Sequence, residues 1–225
     1  MKDKMLKNNY PEGPTDKAKI DSTQYNGQLL GKNETGTVHI HGPYGNTESD
    51  NKIAYLVGMH PYESKSHRAL FETVLTKTDT LNYSYHIYNI NVNRIDEKTE
   101  GRMEGQLLAQ QYVAPHIIKN NYTFFADIHS NKGTRGPGKY EKTNFIFAPG
   151  FDVKSEKIVE TLLSNIKELD YYAPEYRTSP EYITVPVAKS GIPTIVYETY
   201  SYEDMTKTFN LAEKLVNSID KLNFK

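Results

Sequence analysis

The sequence predicts an α/β domain of three layers, with helices packed on both faces of a mixed, largely parallel sheet. Three observations predict it. Short apolar runs such as Ile53-Ala54-Tyr55-Leu56-Val57 and Pro193-Thr194-Ile195-Val196-Tyr197 read as strands buried on both faces. Segments with a single apolar helical face alternate with them. The length, 225 residues, suits one domain large enough to bury a core.

Taken in order, residues 1–34 are polar, carry Pro11, Gly13 and Pro14, and read as an N-terminal arm with a short helix near 16–22. The domain proper is expected over 35–225. Residues 37–41 alternate as a strand, and 42–46 are a turn. A strand at 52–57 leads into a helix at 64–75, and a strand at 85–92 ends at Asn93-Arg94. Residues 95–102 are a charged loop. A helix over 103–118 carries Leu107, Leu108, Val113 and Ile117 on one face, with Pro115 placed to kink or end it. A buried strand at 122–129 precedes a glycine-rich loop at 130–143, read as a flap. A strand at 144–148 and a helix at 152–169 capped by Asp152 follow. After a short strand near 171–176 and a helix start at Ser179-Pro180-Glu181 come the last strand, 193–198, and a closing helix, 203–222.

Composition excludes several classes. Twenty-seven basic and 28 acidic residues give a net charge of -1, so electrostatics supply no reason to expect nucleic acid or an anionic membrane as partner. No apolar run approaches the ~20 residues of a membrane span. The charged N-terminus has no apolar core of a signal peptide, which makes the cytoplasm the default and leaves export with a removed signal open. With no Cys, any metal must be held by His and carboxylate.

Of the seven His, His60 and His129 fall at strand ends. Glu63 follows His60 by three residues where a strand gives way to a helix, the edge at which parallel α/β sheets place ligands. An imidazole and a carboxylate so spaced can reach one Zn²⁺, which takes N and O donors at about 2.0–2.2 Å. The plainer alternative is a helix N-terminus where Glu63 answers the dipole. Asp127 shares a strand face with His129 and can support it from behind. Glu198 closes an apolar strand, where a carboxylate is costly without a partner. His39 and His41 share a strand face and are read as ordinary exposed residues.

The order His60-x-x-Glu63, then Asp127-Ile128-His129, then Glu198 closing a late strand resembles the zinc carboxypeptidase superfamily. Its Asp-x-His form is similar to the succinylglutamate desuccinylase/aspartoacylase branch. The resemblance covers about 36–222 and implies a zinc carboxypeptidase-like, phosphorylase/hydrolase-like fold. It implies one Zn²⁺ per chain on His60, Glu63 and His129, with Glu198 as general base. Asn93, Arg94 and Arg102 fall where the family keeps groups that hold the substrate carboxylate or polarise its carbonyl. The sequence departs from the family in having too little chain after Glu198 for the aspartoacylases' C-terminal β domain, and no motif picks out the family's catalytic Tyr. The implied function is zinc-dependent hydrolysis of an amide bond in a small peptide. The alternatives are deacylation of an N-acyl amino acid and a non-catalytic module binding peptide or cell-wall material.

Overall fold

The computed structural model describes residues 27–224 except 94, 96, 97, 137, 151, 176 and 178. Eight strands form one sheet: β1 (Gln28–Asn33), β2 (Gly36–Gly45), β3 (Lys52–Val57), β4 (Ser84–Val92), β5 (Phe124–Asn131), β6 (Phe145–Phe147), β7 (Asp170–Tyr171) and β8 (Thr194–Tyr200). Their spatial order is β1-β2-β4-β3-β5-β8-β6-β7. The central strands β4, β3, β5 and β8 run parallel, while β1 and β2 on one side and β6 against β8 on the other add antiparallel pairs. The mixed, parallel-centred sheet matches the expected class.

Helices cover both faces: α1 (Ser64–Thr76), α2 (Arg102–Leu108), α3 (Ala114–Lys119), α4 (Val153–Asn165), α5 (Ser179–Tyr182), α6 (Thr184–Lys189) and α7 (Met205–Ile219). On one face Tyr55, Ile87, Ile128 and Tyr197 pack with Leu70 and Phe71 of α1, Leu162 of α4 and Leu215 of α7. On the other, Leu56, Tyr88 and Phe125 pack with Leu108, Ile117 and Val187. The strand runs are apolar throughout because each face has its own core. Among the described residues no helix is long and apolar enough to cross a membrane.

Four expectations are corrected. Gln28–Asn33, assigned to the arm by their polarity, form the edge strand β1 against β2, so the sheet begins before residue 35. Residues 1–26, including the predicted helix near 16–22, lie outside the described residues. The expected turn at 42–46 is instead a continuation of β2, with an irregularity between His41 and Tyr44. His41 is fully buried, edge-on to Phe71 with centroids 5.0 Å apart, rather than exposed. The single helix expected over 103–118 is interrupted by a wider π-type turn, Ala109–Val113, between α2 and α3. Pro115 has no N–H to donate and crowds the carbonyl four residues back, and the wider turn relieves both problems.

Candidate metal centre and cleft

The centre lies at the carboxyl ends of three adjacent parallel strands. β3 ends at Val57, and the chain turns through Gly58 before reaching His60. Gly58 has φ +80°, and a Cβ there would lie 2.2 Å from the Ile90 carbonyl oxygen, so only glycine fits this turn. His129 and Glu198 stand opposite one another in register on β5 and β8, and Asp127 stands opposite Val196. Register partners in a parallel pair share a face, so the alternation that places Asp127 with His129 also places Glu198 beside them.

Glu63 is the hub. It occupies the N-cap position of α1 but makes no capping hydrogen bond. Its carboxylate turns inward instead. Oε1 lies 3.0 Å from His60 Nδ1 and accepts from Arg102 Nη1 at 2.8 Å. Oε2 lies 2.7 Å from His129 Nδ1 and accepts from the Ser130 N–H at 3.1 Å. The helix-dipole alternative therefore leaves out most of what this carboxylate does. His60, Glu63 and His129 are all buried, and one ligand atom from each lies within 4.8 Å of the others, a grouping that could hold a metal ion.

The donor chemistry fits a metal. Both imidazoles present Nδ1 to the shared carboxylate and have a polar side chain behind Nε2. His129 Nε2 lies 2.9 Å from Asp127 Oδ2, out of line for ideal donation, and His60 Nε2 lies 3.1 Å from the Gln106 amide. The amide orientation that accepts a proton from His60 Nε2 leaves the Nδ1 lone pair for a cation.

The electrostatics follow the same layout. Burial pushes the Glu63 carboxyl up, but His129 and Arg102, with the hydrogen bond to His129, outweigh it and hold the group well below the usual carboxylate range. Burial drives His60 down to about 3, with Arg102 and His129 adding to the shift against Glu63. His129 is also pushed down by burial, yet Asp127 and Glu63 raise it well above the ordinary imidazole value. Glu198 is half-buried; desolvation raises it to about 8 with help from Glu63, against His129, Asn131 and Arg102. Asn131 Nδ2 donates to Glu198 Oε2 at 3.1 Å.

A cavity of about 480 Å³ opens over this centre. His60, Glu63, Arg102 and Glu198 line it together with Tyr140 and Arg177. Glycines 133, 136 and 138 of the loop read as a flap also line it. Asn93 is not brought there: it is exposed, and its side chain donates to the Glu34 carbonyl at 3.2 Å. Arg94 lies outside the described residues. Sequence reasoning missed Tyr140, Arg177 and Gln106. Only Gln106 left a signal, standing one helical turn after Arg102 and so on the same face of α2.

The fold is that of the metallo-carboxypeptidases. No protein-family model matches the sequence, and no curated protein matches it. Among solved structures, the chain is similar to a metallo-carboxypeptidase from Pseudomonas aeruginosa in complex with (2-guanidinoethylmercapto)succinic acid, at 13% identity and TM-score 0.52 over 82% of this chain and 60% of that one. It is similar to a carboxypeptidase A-like protein from Shewanella denitrificans at 11% identity and TM-score 0.57, over 86% of this chain and 63% of that one. The tripeptide-bound cell shape determinant Csd4 of Helicobacter pylori matches at 10% identity and TM-score 0.56, over 82% of this chain and 54% of that one. The chain thus spans between 54% and 63% of the length of these three.

Proposed function

We propose that this chain is a zinc-dependent hydrolase of an amide bond, acting as a carboxypeptidase-like peptidase. The observation that carries the reading is the convergence of His60, Glu63 and His129 on one another, with Glu198 in register beside His129, at the floor of a cavity that His60, Glu63 and Glu198 line. His60, Glu63 and His129 would hold the ion through two nitrogens and a carboxylate, the three-ligand set of catalytic rather than structural zinc. When bound, zinc supplies a Lewis acid for the scissile carbonyl and lowers the pKa of a water toward ~7.

The remaining steps belong to the chain. Glu198 takes a proton from the attacking water and delivers it to the leaving amine. A divalent cation nearby favours its charged form, which offsets the upward push of burial. Arg102 reaches the centre from α2 and is positioned to hold negative charge as it develops on the carbonyl oxygen. The Tyr140 hydroxyl lines the same cavity and stays protonated, burial and Glu198 having pushed it up to about 12, so it can donate to substrate. Asp127 and Gln106 orient the two imidazoles.

The test uses purified protein and a Glu198→Gln variant, with zinc content and hydrolysis of C-terminally free peptides measured on each. The variant is expected to keep stoichiometric zinc and lose about 10²–10⁴-fold in turnover. Normal hydrolysis by the variant, or no zinc uptake by either protein at any pH, overturns the reading. The same assay on N-acyl amino acids separates a peptidase from a deacylase.

A further inference from the structure

We propose that His67 is a positioning residue for the metal centre: it stands in for a missing sheet neighbour and fixes the backbone that carries His129. The inference rests on the reading of His60, Glu63 and His129 as metal ligands, and its test separates the two.

His67 breaks the pattern of its own helix. On α1 it falls in the buried stripe with Leu70 and Val74, at i, i+3 and i+7. An imidazole there is costly unless its polar atoms are matched. Its Nε2 lies 2.9 Å from the Ile128 carbonyl oxygen. A carbonyl only accepts, so Nε2 carries the proton and donates.

Sheet register shows why that carbonyl needs a donor. β3 pairs with β5 as far as Leu56 opposite Asp127, and the chain then leaves through Gly58. β5 runs on to Asn131, held on its other side by β8 up to Asn131 opposite Tyr200. The Phe125 N–H donates to Pro193 and the Asn131 carbonyl accepts from Ser201, so the odd-numbered residues address β8. Ile128 and Ser130 therefore address the side that β3 has vacated, and both are buried. Backbone groups buried there need partners from elsewhere.

Two side chains of α1, one turn apart, replace the strand. His67 donates to the Ile128 carbonyl, and Glu63 Oε2 accepts from the Ser130 N–H at 3.1 Å. The first group belongs to the peptide before His129 and the second to the peptide after it. Peptides are planar, so holding one atom of each restrains the His129 backbone on both sides. The same Glu63 oxygen lies 2.7 Å from His129 Nδ1. An ion on this carboxylate would share it with Ser130, which leaves His67 as the anchor that the metal does not draw on. β8 keeps β5 in the sheet without His67, so losing the anchor shifts His129 rather than unfolding the strand. Metal sites are sensitive at that scale, their ligand distances holding to about 0.2 Å.

The test compares His67→Met and His67→Gln, side chains of similar length of which only Gln carries a donor, with Val74→Ala farther along the same stripe. Zinc affinity of the folded protein, read by chelator competition, should fall about tenfold in His67→Met and stay within about threefold of wild type in His67→Gln. Val74→Ala should lower the urea midpoint and leave that affinity unchanged. In metal-free protein, hydrogen exchange at the Ser130 amide should speed up in His67→Met by about tenfold more than at the Phe125 amide. Unchanged affinity in His67→Met, or the same loss in Val74→Ala or His67→Gln, overturns the proposal. If His67→Met does not fold, affinity and Ser130 protection retained in His67→Gln sustain it. No zinc uptake by wild type removes the metal reading, and exchange then decides alone: faster Ser130 exchange in His67→Met sustains the anchoring of β5, and unchanged exchange overturns it.

Discussion

Replacing Gly105 with alanine sets two physical effects against each other at one buried position. Gly105 lies inside α2, and at an open helix position Gly→Ala stabilises by roughly 1 kcal/mol. Here the added Cβ would sit 1.8 Å from the Met59 carbonyl oxygen and 2.8 Å from its carbon. Both are backbone atoms, so no rotamer change clears them, and α2 must retreat by more than an ångström. Overpacking costs about 1–3 kcal/mol, and a clash with backbone falls at the upper end, so about 3 kcal/mol against the propensity gain of about 1 leaves a net loss of about 2 kcal/mol. The damage also has an address. Met59 precedes His60, and Gln106 and Arg102, which touch His60 and Glu63, ride on the same helix. Urea unfolding of metal-free protein reads the stability, and competition with a chromophoric chelator reads metal affinity. Gly105→Ala is expected to lower the unfolding midpoint at unchanged slope and to weaken metal binding at least tenfold, a typical effect of disturbing the groups behind metal-ligating His. A variant as stable as wild type refutes the close approach on which the reasoning rests.

Two further outcomes follow from groups behind and away from the centre. Asp127→Asn keeps the shape of a fully buried side chain but removes the charge beside His129 Nε2; metal affinity by chelator competition should fall about 10–100-fold, and an unchanged affinity would detach Asp127 from the site. His86 sits on the same sheet face but toward the other end of the strands, edge-on to Tyr122, and burial lowers it to about 4, with Lys52 and His116 adding to the shift. Between pH 6.5 and about 4 the unfolded chain binds a proton that the folded one refuses, so this His contributes a loss of stability as pH falls through that window. Denaturant curves at pH 7 and 5 should show a smaller acid-induced loss in His86→Phe than in wild type, and equal losses in both would contradict that assignment.

The sequence made the centre of the sheet legible and its edges illegible, for a physical reason. Strands covered on both faces must be apolar throughout, so Ile53–Val57 and Thr194–Tyr197 announce themselves. β1, Gln-Leu-Leu-Gly-Lys-Asn, is an edge strand with exposed Leu29, and nothing in that composition demands a sheet. That His60, Glu63, His129 and Glu198 come together at one edge of the sheet could be read in advance because polar residues closing apolar runs stand out. Tyr140 and Arg177 come from irregular segments whose side chains carry no period. Their arrival at the cavity depends on how loops cross the sheet edge. Asn93 shows the converse: its strand was correctly placed, yet the chain turns it toward Glu34 and away from the cleft.

The hub carboxylate allows the cost of the centre itself to be argued. Removing one partner of a buried ion pair ordinarily costs about 3–5 kcal/mol, because the other charge is stranded. Glu63→Ala in metal-free protein strands less than that. Arg102, with 42% of its side chain exposed, can turn its head into the cavity water. His60 is already held neutral by burial. His129 keeps Asp127 at 2.9 Å as a second anion. What remains is the lost Ser130 and imidazole hydrogen bonds and a polar void that water can fill, which together suggest a loss of about 2 kcal/mol, below the usual range. Chemical denaturation of the chelated variant against chelated wild type measures it. A loss of 4 kcal/mol or more would mean that Arg102 is fixed in place rather than free to leave Glu63. The catalytic role proposed for its guanidinium, which requires that freedom, would then fail with it.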